Sequence, residues 1–170
     1  MLKSTDQLDA AVSKQGKYLT FSLSSEEYGL EILKVREIIG YMDITPVPRM
    51  PDYIKGVINL RGQVIPVIDL RTKLGMQEHQ ITDQTCIIVV EAEREKNQFT
   101  AGIIVDHVQE VLDIAAENIE ESLSFGSNVN SNLIMGIAKL EKSVKILLDI
   151  DLVLLGDEMA EAMKEIDSSN

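Results

Sequence analysis

Two stretches of the chain occur twice, in the same order. Gly29–Ile39 aligns without gaps on Gly102–Leu112, 73 residues later, with Gly, Val and Glu identical and the final apolar pairs matched. Gly56–Leu70 aligns on Gly136–Ile150, 80 residues later. There Gly56/Gly136, Leu60/Leu140, Val64/Val144 and Asp69/Asp149 are identical, and apolar falls on apolar at most other positions. One weak match would be noise in a Val/Ile-rich chain. Two in the same order, both opening on Gly, favour duplication and predict two related units of about 70 residues.

The units should be β structure. The chain holds 20 Ile and 14 Val, a fifth of its 170 residues, and β-branched side chains fit pleated surfaces better than helices. Tyr18, Thr20 and Ser22 alternate with Leu19, Phe21 and Leu23, the period of a strand. Gly56–Leu70 reads as a hairpin, with Gly62 supplying a positive φ at the turn. Pro66 places its strand at an edge or a bulge. Asp69 can cap a short helical turn that Gly75 ends. Cys86–Val90 and Phe99–Val105 are strands about a turn at Glu93–Asn97, and Leu133–Leu140 pairs with Val144–Ile150. Strands this short and numerous fit small closed barrels. One barrel of that size has a thin core, so two packed together, with a groove between, are expected.

The expected divisions are an N-terminal arm at 1–16, a first barrel at 17–83, a second at 84–155, and a C-terminal helix and tail at 156–170. The boundary between barrels is set at the polar, unpatterned stretch 76–85. In the tail, Met159, Ala162, Met163 and Ile166 share one helical face.

Charge narrows function. The net charge is −12, which argues against a nucleic-acid or anionic-membrane binder. Trp is absent and aromatics are 4%, so single strands would find no stacking platform. Residues 1–75 carry 10 basic and 9 acidic residues, and residues 76–170 carry 6 and 19; such halves present different surfaces. No secretory signal and no apolar run of about 18 residues is visible, so a cytoplasmic setting is expected.

Catalytic constellations are scarce. His79 sits in a polar stretch that suits a solvated side chain. His107 and Glu110 lack a further ligand nearby for a metal, and the single Cys86 excludes a Cys-based zinc site. No phosphate-binding Gly-rich loop occurs. No catalytic residue, metal site or cofactor is expected. Phe125 is a lone aromatic in a Ser/Asn/Gly loop, either folded back on a barrel or presented to a partner.

Gly56-Val57-Ile58-Asn59-Leu60-Arg61-Gly62, followed by Val64–Leu70, resembles the CheW family of chemotaxis coupling proteins. So do Glu27-Tyr28-Gly29, Leu33–Ile38, the Pro-rich Ile44–Pro51 and Gly102–Val108. The resemblance covers about residues 17–155. It implies an all-β fold of two SH3-like five-stranded barrels and an adaptor without catalytic activity. It implies two partners, the cytoplasmic hairpin tip of a chemoreceptor and the regulatory domain of the CheA histidine kinase, with no nucleic acid, no direct membrane contact and a monomer in isolation. By similarity, Val35, Glu37, Gly56, Asn59, Arg61 and Val108 are receptor-coupling positions, although Gly56 equally suits a purely structural role. Ile44, Pro46, Val47 and Phe125 are candidates for the kinase face. An ion pair between Glu37 and Arg61 is a hypothesis that spacing alone does not yield.

Overall fold

The computed structural model describes residues 14–77, 80–94, 96–121 and 133–154. The strands are β1 (Gly16–Leu23), β2 (Glu26–Glu31), β3 (Val35–Gly40), β4 (Ile54–Leu60), β5 (Gln63–Asp69), β6 (Cys86–Arg94), β7 (Asn97–Val105), β8 (His107–Ile114), β9 (Ile119–Glu120), β10 (Ile134–Lys139) and β11 (Val144–Leu148). Helix α1 (Leu70–Lys73) follows β5 and α2 (Ile150–Leu154) follows β11. The C-terminal helix expected at 156–170, Phe125 and His79 lie outside the described residues.

The strands form two sheets, in the orders β8-β1-β2-β11-β10-β9 and β3-β6-β7-β5-β4. The two orders correspond strand for strand. The parallel contact in each sheet joins repeat-equivalent residues: Leu147 lies opposite Gly29, and Val67 opposite Gly102. The hairpins β4–β5 and β10–β11 both slip register before their shared glycine, at Ile54/Gly56 and Ile134/Gly136. Strand β9, which pairs with β10, has its counterpart in the single bridge between Thr45 and Val57.

The division at 83/84 does not follow the sheets. β2 belongs to the first sheet, and the chain then passes through a 3-10 turn at Ile32–Lys34 into β3 of the second. β7 belongs to the second sheet and the chain passes back through Asp106 into β8 of the first. The second barrel is therefore the continuous run β3–β7, and the first is assembled from β1–β2 and β8–β11. The duplicated segment Gly29–Ile39/Gly102–Leu112 is the crossover itself, so equivalent segments change barrels and a linear cut cannot separate them.

Two local expectations also change. β5 is flanked by β4 and β7 and is not an edge strand; Pro66 is tolerated because the ladder to β7 starts only at Val67. The hairpin β6–β7 is tight, with Arg94 facing Asn97 and Lys96 at φ 69°; Glu93 and Arg94 continue β6, and Asn97 opens β7. Asp69 caps α1, its Oδ1 accepting the Arg71 N–H at 3.0 Å, and Gly75 has φ 81°, as expected.

Among the described residues, apolar side chains are buried in three places. Tyr18, Ile114, Ile119, Ala138 and Leu147 fill the first barrel. Ile58, Ile65, Val67, Ile87 and Val89 fill the second. The largest cluster lies between them, where Phe21, Leu30 and Leu148 meet Ile68, Ile88 and Ile103, with Ile150, Val153 and Leu154 of α2. Each barrel is small, and burying apolar surface against its twin supplies what neither core could alone.

Candidate functional site

Arg61 stands at the tip of the β4–β5 hairpin. Its φ of 52°, followed by 88° at Gly62, makes a two-residue turn with both central residues in the left-handed region. Left-handed backbone costs a non-glycine residue about 1–2 kcal/mol. The Asn59 Oδ1 offsets this by accepting the Gly62 N–H at 2.9 Å. Asn59 thus buttresses the turn that aims Arg61. The guanidinium reaches across the sheet to the Glu37 carboxylate on edge strand β3, and that hydrogen bond raises the Arg61 pKa further. Glu37 and Arg61, with Arg36, Leu60, Gln63 and Thr100, border a cleft of about 200 Å³. Arg61 remains 72% exposed at its side chain while Glu37 is 29% exposed, so the carboxylate orients a cation that still faces outward.

The twin barrel lacks this arrangement. At the positions equivalent to Glu37, Asn59 and Arg61 it carries Glu110, Lys139 and Glu141. Glu110 is engaged through its backbone with the buried Thr20 hydroxyl, at 2.8 and 3.2 Å. Behind it, Lys145 is buried and donates to Glu27 at 2.8 Å, while Gln109 donates to Glu27 at 3.1 Å. Those hydrogen bonds hold the Glu27 carboxyl below the usual range. The second barrel has apolar Ile65 where the first has Lys145, and an outward cation where the first has an acid.

Val35 and Val108 open β3 and stand near the start of β8, at equivalent positions in the two sheets, and both pack half-buried against the shared core. Gly56 is different. Its φ is +146°, and a Cβ there would lie 2.0 Å from the Thr45 carbonyl oxygen. Thr45 and Val57 exchange two backbone hydrogen bonds of 2.9 Å, so Gly56 is where the Pro-rich segment presses onto β4, a structural role. In that segment Pro46 is exposed and Val47 half-buried, while Ile44 packs against the second barrel's core. The apolar patch expected over Ile44, Pro46 and Val47 is therefore only partly presented.

Sequence reasoning passed over two ion pairs at the crossovers. Arg71 of α1 meets Asp106 through Nε–Oδ1 at 2.8 Å and Nη2–Oδ2 at 2.5 Å, and donates to the Ser24 Oγ at 2.7 Å and the Gln77 carbonyl at 2.8 Å. Lys34 meets Asp151 of α2 at 2.9 Å. Arg71 is buried, and a buried arginine nine residues past the hairpin glycine Gly62 leaves no periodic trace; the pairing partner, 35 residues on, could come only from the crossover geometry. A larger cleft of about 310 Å³ is bordered by Lys55, Asp69, Arg71 and Asp106. Its Arg71 and Asp106 are engaged with each other and its Asp69 caps α1, so it offers no free acid–base pair of the sort a hydrolytic site needs. Among the described residues no group of three or more His, Cys, Asp or Glu could hold a metal ion, and no helix is long and apolar enough to cross a membrane.

A model of the CheW-like domain matches residues 17–158. The chain is 40% identical over 144 residues to the chemotaxis protein CheW of Klebsiella aerogenes, covering 85% of this chain and 84% of that one. It is 34% identical over 147 residues to the chemotaxis protein CheW of Bacillus subtilis, covering 86% and 92%. The structure is similar to that of the scaffolding protein TtCheW from Thermoanaerobacter tengcongensis, with a TM-score of 0.76 and 34% identity over 85% of this chain and 95% of that one. The all-β double SH3-like barrel expected from the sequence is the fold observed.

Proposed function

This chain belongs to the CheW-like domain family of chemotaxis proteins, a family of scaffolds and not of enzymes, and on that premise we propose that it couples the cytoplasmic tip of methyl-accepting chemoreceptors to the CheA histidine kinase in signalling arrays. It acts in the cytoplasm, recruited to receptor arrays under the inner membrane, by binding alone. The receptor side comprises Val35, Glu37, Asn59, Arg61 and Val108, with Gly56 holding the shape behind them. The kinase regulatory domain takes the Pro-rich face at Pro46 and Val47, with Ile44 beneath.

One observation carries this reading. On a duplicated scaffold the glutamate is kept at Glu37 and Glu110, while its hairpin-tip counterpart changes sign: one barrel presents Arg61, oriented by Glu37, and the other presents Glu141. Duplication preserves what folding needs, and a difference placed on an exposed, strained turn is where a partner would be distinguished. A helical hairpin lays an amphipathic face into an apolar groove, and Val35 and Val108 offer apolar surface beside the shared core. Two modest contacts within one array gain from effective concentration.

The test is co-sedimentation of the purified chain with a receptor cytoplasmic hairpin and a kinase regulatory domain. The chain should enter a ternary assembly, and Arg61→Ala should lose the receptor while keeping the kinase. Assembly with neither partner would overturn the proposal and favour a related chemosensory pathway.

A further inference from the structure

We propose that the ion pairs Lys34–Asp151 and Arg71–Asp106 are positioning latches that fix the angle between the two barrels and so the spacing of Val35 and Val108; the second half of that statement rests on the receptor reading above.

The two pairs form one device built twice. Arg71 and Asp151 are equivalent in the repeat, each the second residue of the helix that leaves a barrel. Each helix residue binds a charged residue on a crossover, Asp106 between β7 and β8 or Lys34 between β2 and β3. Each set also reaches the turn region of the opposite barrel at an equivalent place. Asp106 accepts the Ser24 N–H at 2.7 Å and Asp151 accepts the Glu93 N–H at 2.8 Å. Ser24 and Glu93 both lie four residues past the strand position opposite the shared glycine, Thr20 in β1 and Val89 in β6.

The polarity is reversed. At one crossover the helix supplies the cation and the crossover the carboxylate; at the other the roles exchange. The carboxylate takes the turn N–H in both. Two sequences have thus met the same geometric need in opposite ways, which singles out the three-point link rather than either charge. Lys34 directly precedes Val35, and Asp106 lies two residues before Val108, so a change in either link displaces a groove residue. Burial lowers the Lys34 pKa, but Asp151, aided by Glu31 and Glu93, outweighs it and holds the amine charged.

The Lys34 pair, at 25% and 32% side-chain exposure, can be cut without removing a fully buried charge, so it carries the test. In a Cys86→Ser background, spin labels at Gln98→Cys on the second barrel and Lys142→Cys on the first report their separation by pulsed electron resonance. Lys34→Met should displace or broaden the distance distribution, Lys34→Arg should leave it as in the parent, and receptor-hairpin affinity should fall about tenfold in Lys34→Met only. An unchanged distribution in Lys34→Met, or an equal change in Lys34→Arg, overturns the latch. A displaced distribution with unchanged affinity upholds the latch and sinks the assignment of Val35 and Val108 to the receptor groove.

Discussion

Leu147 lies directly opposite Gly29 across the parallel pair of the first barrel, and a Cβ on Gly29 would come within 2.9 Å of the Leu147 Cδ2. In the second barrel a Cβ on Gly102 would meet the Ile87 Cγ2 at 2.7 Å. Overpacking a buried site costs about 1–3 kcal/mol. The Leu147 methyl is the far end of a side chain with two torsions to adjust, whereas the Ile87 methyl sits on a stiff β-branched carbon. Gly102→Ala should therefore destabilise more than Gly29→Ala in urea titrations, and the reverse order would refute this packing account.

Gly56→Ala and Gly62→Ala separate two uses of positive φ. Gly62 faces open space, so alanine there meets only the backbone preference, about 1–2 kcal/mol. Gly56 adds a collision with the Thr45 carbonyl. Its alanine variant should be poorly folded by circular dichroism, losing every partner at once. A well-folded Gly56→Ala that loses the receptor alone would return this residue to the binding surface.

Arg61→Ala should leave the melting temperature near that of the parent, because the side chain is exposed. Receptor-hairpin binding should nevertheless fall by about tenfold or more, as for a hot-spot arginine. Glu37→Gln should fall less, since it loosens the orientation and keeps the cation. Isothermal titration against the hairpin ranks the two; equal melting loss and binding loss would point to a structural pair.

The aspartates shared by the repeat should behave alike. Asp69 accepts the Arg71 N–H and Asp149 the Leu152 N–H, at 3.0 and 3.2 Å. Replacing either cap by alanine should cost about 1 kcal/mol. The caps serve different helices, so the double variant should cost the sum within about 0.5 kcal/mol, as read from denaturant midpoints.

Acid should act through Glu27. Its carboxyl is held below its ordinary value, first by the Lys145 hydrogen bond and then by Gln109. A depressed carboxyl contributes stability that is present above the unfolded value near 4.5 and lost as pH falls through the folded value. Glu27→Gln should therefore melt lower than the parent at pH 7, and the gap should close on acidification below that value. Glu31 runs the other way: burial raises it, and that cost, with Asp149 and Asp151 adding to it, exceeds the opposing pull of Lys34. Its charge costs stability at neutral pH, so Glu31→Gln should melt higher at pH 7, with the gain vanishing in acid. Melting curves across pH 3–8 check both signs.

The periodic and glycine-marked parts of this fold were legible from the residues. Gly29/Gly102, Gly56/Gly136 and Asp69/Asp149 each recur because a close strand approach, a bulge or a cap demands them twice. The assignment of strands to barrels was not legible, since nothing local to Lys34 or Asp106 states that the chain there changes sheets. The Glu37–Arg61 contact was a hypothesis that only the fold could test, for its partners are on a hairpin tip and an edge strand 24 residues apart. The crossover pairs were passed over for the same reason: Arg71 and Asp106 look like ordinary surface charges until the crossover brings them together.

The interleaved topology has a consequence for how the chain is made. Strands β3–β7 emerge from the ribosome in one run, so the second barrel can close while synthesis continues. β1 and β2 emerge earlier but must wait for β8–β11 before their barrel can form, exposing Phe21, Leu30 and neighbouring apolar groups meanwhile. The early-closed barrel already contributes Ile68, Ile88 and Ile103 to the shared core, and offers those waiting strands a surface to dock on. Vectorial synthesis thus favours the inserted barrel as the template for the flanking one.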